Sequence, residues 1–250
     1  PFGLWVYNGF EKYQDKKGVG RWIFDHLGKS PVLMSSVNGE TRAKVATNLL
    51  RDYGYFNGSV SYQEVPQKNP KEAKVSYVID MAQPYFLDSI AYLRYPHYAD
   101  SLIRSTHSQS VLKSGENFSV LKLEEERQRL SSLFRNHGYY YYRPEFTTYR
   151  ADTLQKPGYV SLQVVPRNGV PTEARKQYYI GKTSVYLTGY NDELPTDTLR
   201  LRTMDIYYSG KKPGIRPSAL MRNFFFRKGE LFSQDRQAFT QEAIARMGVF

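Results

Sequence analysis

The segment Gly115-Glu116-Asn117-Phe118-Ser119 returns later in the chain as Gly229-Glu230-Leu231-Phe232-Ser233. A chain that repeats in register is built from modules rather than from one continuous core. Upstream of the two copies, Leu102-Ile103-Arg104 is echoed by Leu220-Met221-Arg222. Downstream, each runs through a helical pattern that stops at a glycine followed by bulky residues: Asn136-His137-Gly138-Tyr139-Tyr140 and Arg246-Met247-Gly248-Val249-Phe250. An earlier copy ends Asp52-Tyr53-Gly54-Tyr55-Phe56.

Val45, Leu49, Leu50 and Tyr53, like Leu123, Leu130, Leu133 and Phe134, recur at helical steps and predict one core-facing stripe per helix; Phe239, Ile244 and Met247 form a sparser third version. Gly54, Gly138 and Gly248 fall where a left-handed cap closes a helix, a conformation glycine adopts without a Cβ clash. Ser119 and Ser233 are natural N-caps.

Strands follow each complete helix. Val60 and Tyr62 alternate in 59–65, and Val75, Tyr77 and Ile79 alternate in 74–80, with a turn at Pro66-Gln67-Lys68-Asn69-Pro70 between them. The second copy predicts strands over 144–150 and 159–166, the latter alternating at Val160, Leu162 and Val164. An opening strand precedes each later unit, at Tyr85-Phe86-Leu87-Asp88-Ser89-Ile90 and Tyr178-Tyr179-Ile180-Gly181-Lys182-Thr183.

The fold class is therefore α+β, with tandem two-layer modules of order strand, helix, helix, strand, strand, each a three-stranded sheet covered by two helices. The expected modules are 1–84, lacking its opening strand; 85–171, complete; and 172–250, with an insertion over 190–216 and ending before its last two strands. Within that insertion, Thr203 to Gly210 predicts an extra strand or hairpin arm.

Composition narrows the chemistry. The 250 residues contain no cysteine, which removes disulfides, thiolate catalysis and cysteine metal sites. His26, His97, His107 and His137 include no pair at metal-ligand spacing on one helix. Gly18-Val19-Gly20 lacks the third glycine of a dinucleotide loop and reads as a turn before the helix of Trp22, Ile23 and Leu27. Glu124-Glu125-Glu126, interleaved with Arg127 and Arg129, reads as a solvated, ion-paired helix face. No nucleophile, base or metal cluster assembles, so no enzyme and no cofactor is expected.

The net charge of +11 is dispersed, and the 22 tyrosines suit strands with one wet face. Tyr139 to Tyr142 directly follow a helix-ending glycine, a position that favours core anchoring over base stacking. Charge and tyrosines leave two alternative functions, a single-stranded nucleic-acid-binding protein and a membrane-surface adaptor.

The tandem order, the Lys-x-Gly-Glu-x-Phe-Ser step and the helix ending Gly-Tyr-Tyr or Gly-Val-Phe resemble the POTRA domains of the BamA/TamA-like outer-membrane superfamily. Ile215 to Arg222, Arg227 to Ser233 and Ala245 to Phe250 stand in that family's order. Trp5-Val6-Tyr7-Asn8 and Leu27 to Leu33 look more like the TamA-like lipoprotein branch of Bacteroidetes.

The resemblance implies a periplasmic, non-enzymatic scaffold at the outer membrane, tethered by a C-terminal β-barrel and/or a lipid anchor outside this sequence. It further implies partners among extended outer-membrane protein clients and envelope assembly proteins, with no nucleic acid and no small-molecule substrate. Clients would add to the strand after the second helix by β-augmentation. Carried over, that edge is Ser59, Val60, Ser61 and Tyr62 in the first module and Phe146, Thr147, Thr148 and Tyr149 in the second.

Overall fold

The computed structural model describes residues 2–30, 32, 36–68, 73–188 and 194–248. The predicted turn residues Asn69 and Pro70, and Tyr190 at the head of the expected insertion, lie outside the described residues. The fold is α+β, in two compact units: residues 1–51 with 55–82, and residues 52–54 with 83–250.

The first unit opens with α1 (Phe2–Phe10) and α2 (Val19–Leu27). The rings of Tyr7 and Phe24 lie 5.1 Å apart between these helices, and the Lys29 N–H donates to the Gly3 carbonyl at 2.9 Å. Helix α3 (Gly39–Asp52) precedes the antiparallel hairpin of β1 (Ser59–Pro66) and β2 (Ala73–Asp80). Ala43 is buried, and the Tyr62 ring lies so close to Gly39 that a Cβ there would sit 2.5 Å from it.

The core-facing stripe expected on α3 is not observed: Val45 and Leu49 are 62% and 55% exposed, and Tyr53 is exposed too. The physical reason is a shortage of surface. One helix over a two-stranded sheet cannot enclose a broad apolar stripe, and Val78, Ile79 and Met81 are exposed as well.

In the second unit β3 (Phe86–Tyr92), α4 (His97–Ser105), α5 (Val120–Asn136), β4 (Thr147–Asp152) and β5 (Tyr159–Pro166) follow in order. The sheet order is β3-β5-β4, with β5 parallel to β3 and antiparallel to β4. Central strand β5 buries Val160, Leu162 and Val164, while Ile103 of α4 and Leu130 and Phe134 of α5 are fully enclosed. Fully burying each such side chain contributes about 1.5–3 kcal/mol.

Glu126 corrects the expectation of a solvated acidic face on α5, because it is 0% exposed. Its carboxylate accepts from Tyr92 Oη at 2.6 Å, Val111 N–H at 3.2 Å, and Arg129 Nε at 2.9 Å and Nη2 at 2.5 Å. Glu124, paired with Arg127 at 3.0 Å, stays on the surface. Helical spacing had grouped these glutamates, but the buried partners come from β3 and the loop before α5.

The same unit continues with β6 (Thr183–Tyr186), β7 (Asp197–Arg200), β8 (Met204–Tyr208), α6 (Pro217–Asn223) and α7 (Gln234–Arg246). The order β6-β8-β7 and the mixed pairing match the preceding sheet, although here all three strands come before the helices. Val185, Met204, Ile206 and Leu220 form its core. Ser233 caps α7 by accepting from the Arg236 N–H at 3.4 Å, whereas Ser119 makes no side-chain cap on α5.

Candidate functional site

The repeated glycines take φ of 88° at Gly54, 97° at Gly138 and 62° at Gly248. Helices α3 and α5 close with the six-to-one hydrogen bond of a left-handed cap, from Tyr55 N–H to Leu50 C=O at 2.9 Å and from Tyr139 N–H to Phe134 C=O at 3.1 Å. Two of the glycines also form backbone joints. Gly54 C=O accepts from Tyr85 N–H at 2.9 Å, and Tyr85 C=O accepts from Phe118 N–H at 2.8 Å. The second joint repeats this with Gly138, Tyr178 and Phe232, at 2.8 and 2.9 Å.

The Gly-Glu-x-Phe step and the helix-ending glycine are therefore two halves of one contact. Around Gly138 the joint is widened by side chains: Tyr140 packs edge-on to Phe232 with centroids 4.7 Å apart, and Asn136 Oδ1 accepts from Asp235 N–H at 2.9 Å. Tyr139 and Tyr142 are buried, while Tyr140 and Tyr141 are exposed. The sequence holds the joint in plain view, but recognising it requires knowing that residues far apart in the chain meet.

The predicted edges lie on the outer strands of their sheets. In β1, Val60 N–H turns away from β2 and donates to Thr47 Oγ1 at 3.0 Å. By the alternation of an antiparallel ladder, Ser59, Ser61 and Gln63 bond to β2, and Val60, Tyr62 and Glu64 face outward. One predicted donor, Val60, is thus already engaged by α3. Between α3 and this edge runs a groove of about 580 Å³ lined by Ala43, Lys44, Thr47, Val60, Ser61 and Tyr62 among others. At its rim Lys44 Nζ pairs with Glu40 at 2.7 Å, and this bond holds the Glu40 carboxyl below the usual carboxylate range.

In the second unit, β4 begins at Thr147. Phe146, expected on the edge, lies in a 3-10 turn started by Pro144; its N–H returns to Arg143 C=O and its C=O accepts from Arg167 N–H at 2.7 Å. That last bond sets the register parity, so Thr148 and Arg150 bond to β5 while Thr147, Tyr149 and Ala151 turn their backbone groups outward. Tyr149 packs against α5. Its hydroxyl donates to Leu123 C=O at 2.6 Å and the Arg127 guanidinium stacks 5.1 Å from its ring, so α5 and β4 are closed against each other.

Among the described residues no group of three or more His, Cys, Asp or Glu side chains could hold a metal ion, and no helix is long and apolar enough to cross a membrane.

No protein-family model matches the chain, and no curated protein matches it. Among solved structures it is similar to POTRA domains 3–5 of Haemophilus influenzae BamA, with a TM-score of 0.43 and 10% identity over 84% of this chain and 70% of that one. It is also similar to the N-terminal domain of Omp85 from Thermosynechococcus elongatus, with a TM-score of 0.27 and 14% identity over 88% and 75% of the two chains. A third similarity is to BamA from Haemophilus ducreyi lacking POTRA domains 1–3, with a TM-score of 0.36 and 11% identity; this chain spans 26% of that one and matches over 65% of its own length.

Proposed function

We propose that the chain is a non-enzymatic scaffold of POTRA type on the periplasmic side of an outer membrane, holding extended client polypeptides by β-augmentation. The observation that carries this reading is the outer edge of β4, the last strand in the order β3-β5-β4, where Tyr149 and Ala151 turn their backbone groups away from β5; Thr147, at the start of the strand, is buried. Backbone hydrogen bonding of this kind is tolerant of client sequence, as an assembly factor requires. The edge of β1 at Tyr62 and Glu64, next to the α3 groove, is a second seat of the same kind.

In the same reading, the factor is tethered by a β-barrel or a lipid anchor. Other envelope assembly proteins are its partners. The Bacteroidetes lipoprotein branch accounts best for Trp5 to Asn8 and the segment after Leu27.

The register makes the test specific. Proline at Ala151 removes an outward N–H and leaves the β5 ladder whole, whereas proline at Arg150 removes a ladder bond. Photocrosslinking of an unfolded outer-membrane β-barrel precursor from a probe at Asp152 should fall several-fold in Ala151→Pro, with the circular dichroism unchanged. Undiminished crosslinking in that folded variant would sink the reading.

A further inference from the structure

A second concave site lies at one end of the β3-β5-β4 layer, where the turn before α4, the residues after α5 and the turn after β5 converge. The cavity has a volume of about 300 Å³, at the small end of the range that holds organic ligands. Its inner wall is apolar and aromatic, from Ala99, Phe134, Tyr139, Tyr142, Val170 and Ala174, all buried. Phe134 is held from two sides, with centroids 4.7 Å from Tyr142 and 5.7 Å from Tyr139, so the wall is set before anything enters.

The mouth has a different character. Arg94, Arg167 and Arg175 line it, and no Asp or Glu does. All three are exposed, and none of their guanidiniums makes a hydrogen bond or ion pair among the described residues. Three guanidiniums at one opening, with no carboxylate beside them, make it a ready seat for an anion.

Two further observations agree. Arg94 has φ of 65°, a left-handed backbone unusual for a side chain of this size, and such strain persists only where the surroundings impose it. Pro96, the N-cap residue of α4, lines the same cavity, and no side chain caps that helix, so the positive end of the helix adds to the field.

We infer that this cavity binds a small amphipathic carboxylate, its apolar body against Phe134, Tyr139 and Tyr142 and its carboxylate between Arg94, Arg167 and Arg175. The arginines fork onto carboxylate oxygens, and the aromatic wall takes an aryl ring or a short acyl chain. Two sources share this chemistry, a free organic acid and the carboxyl-terminal residue of a polypeptide ending in an apolar side chain. The site stands independently of how the β4 edge is used.

Calorimetric titration of the full chain with 4-phenylbutyrate, 4-phenylbutanol and inorganic phosphate tests it. The acid should bind saturably at one site, at least tenfold more tightly than the alcohol or phosphate. Arg167→Gln and Arg94→Gln should each weaken the acid about tenfold and leave the alcohol unchanged. Equal affinity for acid and alcohol would overturn the proposal in favour of a plain apolar cavity, and equal affinity for phosphate would overturn it in favour of surface charge. Wild-type affinity in both arginine variants would also overturn it, since both keep the cavity wall and neither residue is buried. A tetrapeptide ending in phenylalanine, with free or amidated carboxyl group, then separates the sources: tighter binding of the free-carboxyl peptide than of 4-phenylbutyrate assigns the site to chain termini, and the reverse assigns it to free acids.

Discussion

Helix α3 with the β1–β2 hairpin and helix α5 with β4 and β5 share an order of helix, strand, strand and a helix closed by glycine, yet they differ in what they bury. Around α5, Leu130, Phe134 and Glu126 are sealed, because β3 and α4 add a third strand and a second helix to the layer. Around α3 the sheet has two strands, Leu49 and Val45 remain in water, and a groove stays open along the strand edge. The same local pattern gives a closed core or an open groove according to whether the layer is completed.

The sharpest way to break this contrast is at Glu126. Glu126→Ala leaves Arg129 and Tyr92 facing each other without their shared acceptor, and a broken buried pair costs about 3–5 kcal/mol. Chemical denaturation should show that loss in the transition of the second unit. A loss below about 1 kcal/mol would place the pair in water and erase the difference between the two helices.

A leucine pair compares the helices directly. Leu130→Ala should cost about 2–5 kcal/mol by leaving a cavity in an enclosed core. Leu49→Ala, on the exposed side of α3, should stay within about 0.5 kcal/mol. Similar losses for the two would show that α3 is covered in solution.

The glycine joints separate by a smaller margin. Alanine at any of the three positions meets the left-handed backbone penalty of about 1–2 kcal/mol. At Gly54 the added Cβ would also lie 2.8 Å from the Phe118 carbonyl oxygen, which is backbone, and at Gly138 it would lie 2.8 Å from the tip of Leu231, which can turn aside. At Gly248 it meets nothing within 4 Å. Thermal unfolding of the three alanine variants should therefore rank Gly54 as the most damaging and Gly248 as the least, and the opposite rank would dismiss the joints as a source of stability.

The smallest effect at neutral pH belongs to Tyr142. Burial, partly offset by its bond to Thr147, pushes its phenol up to about 12 from an ordinary 10. Because the folded state favours the neutral form, this stabilisation is complete below about pH 10 and is lost as pH rises through about 12. Tyr142→Phe should flatten part of the alkaline fall in stability, followed by fluorescence, and an unchanged profile would remove Tyr142 from its causes.

Much of the second unit was legible from residue order. Val160, Leu162 and Val164 alternate because β5 is central, and the strand over 159–166 appears at those bounds. At the edges backbone direction decides the outcome. Residue order predicts a strand at Phe146, but Pro144 fixes a turn there, and it predicts a free edge at Val60, but Thr47 takes its N–H. The arginines around the cavity gave no signal, because Arg94, Arg167 and Arg175 stand on separate connecting segments.

Residue order is enough for the repeat, the α+β class and the glycine positions, since periodicity and positive φ are local properties that neighbouring residues dictate. Tertiary structure alone decided that Glu126 is buried, that Val45 and Leu49 are not, and that Gly54 and Gly138 each meet a tyrosine and a phenylalanine from further along the chain. Burial depends on how many layers close over a face, and a joint depends on which distant backbone arrives there. Neither quantity is written in the spacing of residues along one helix.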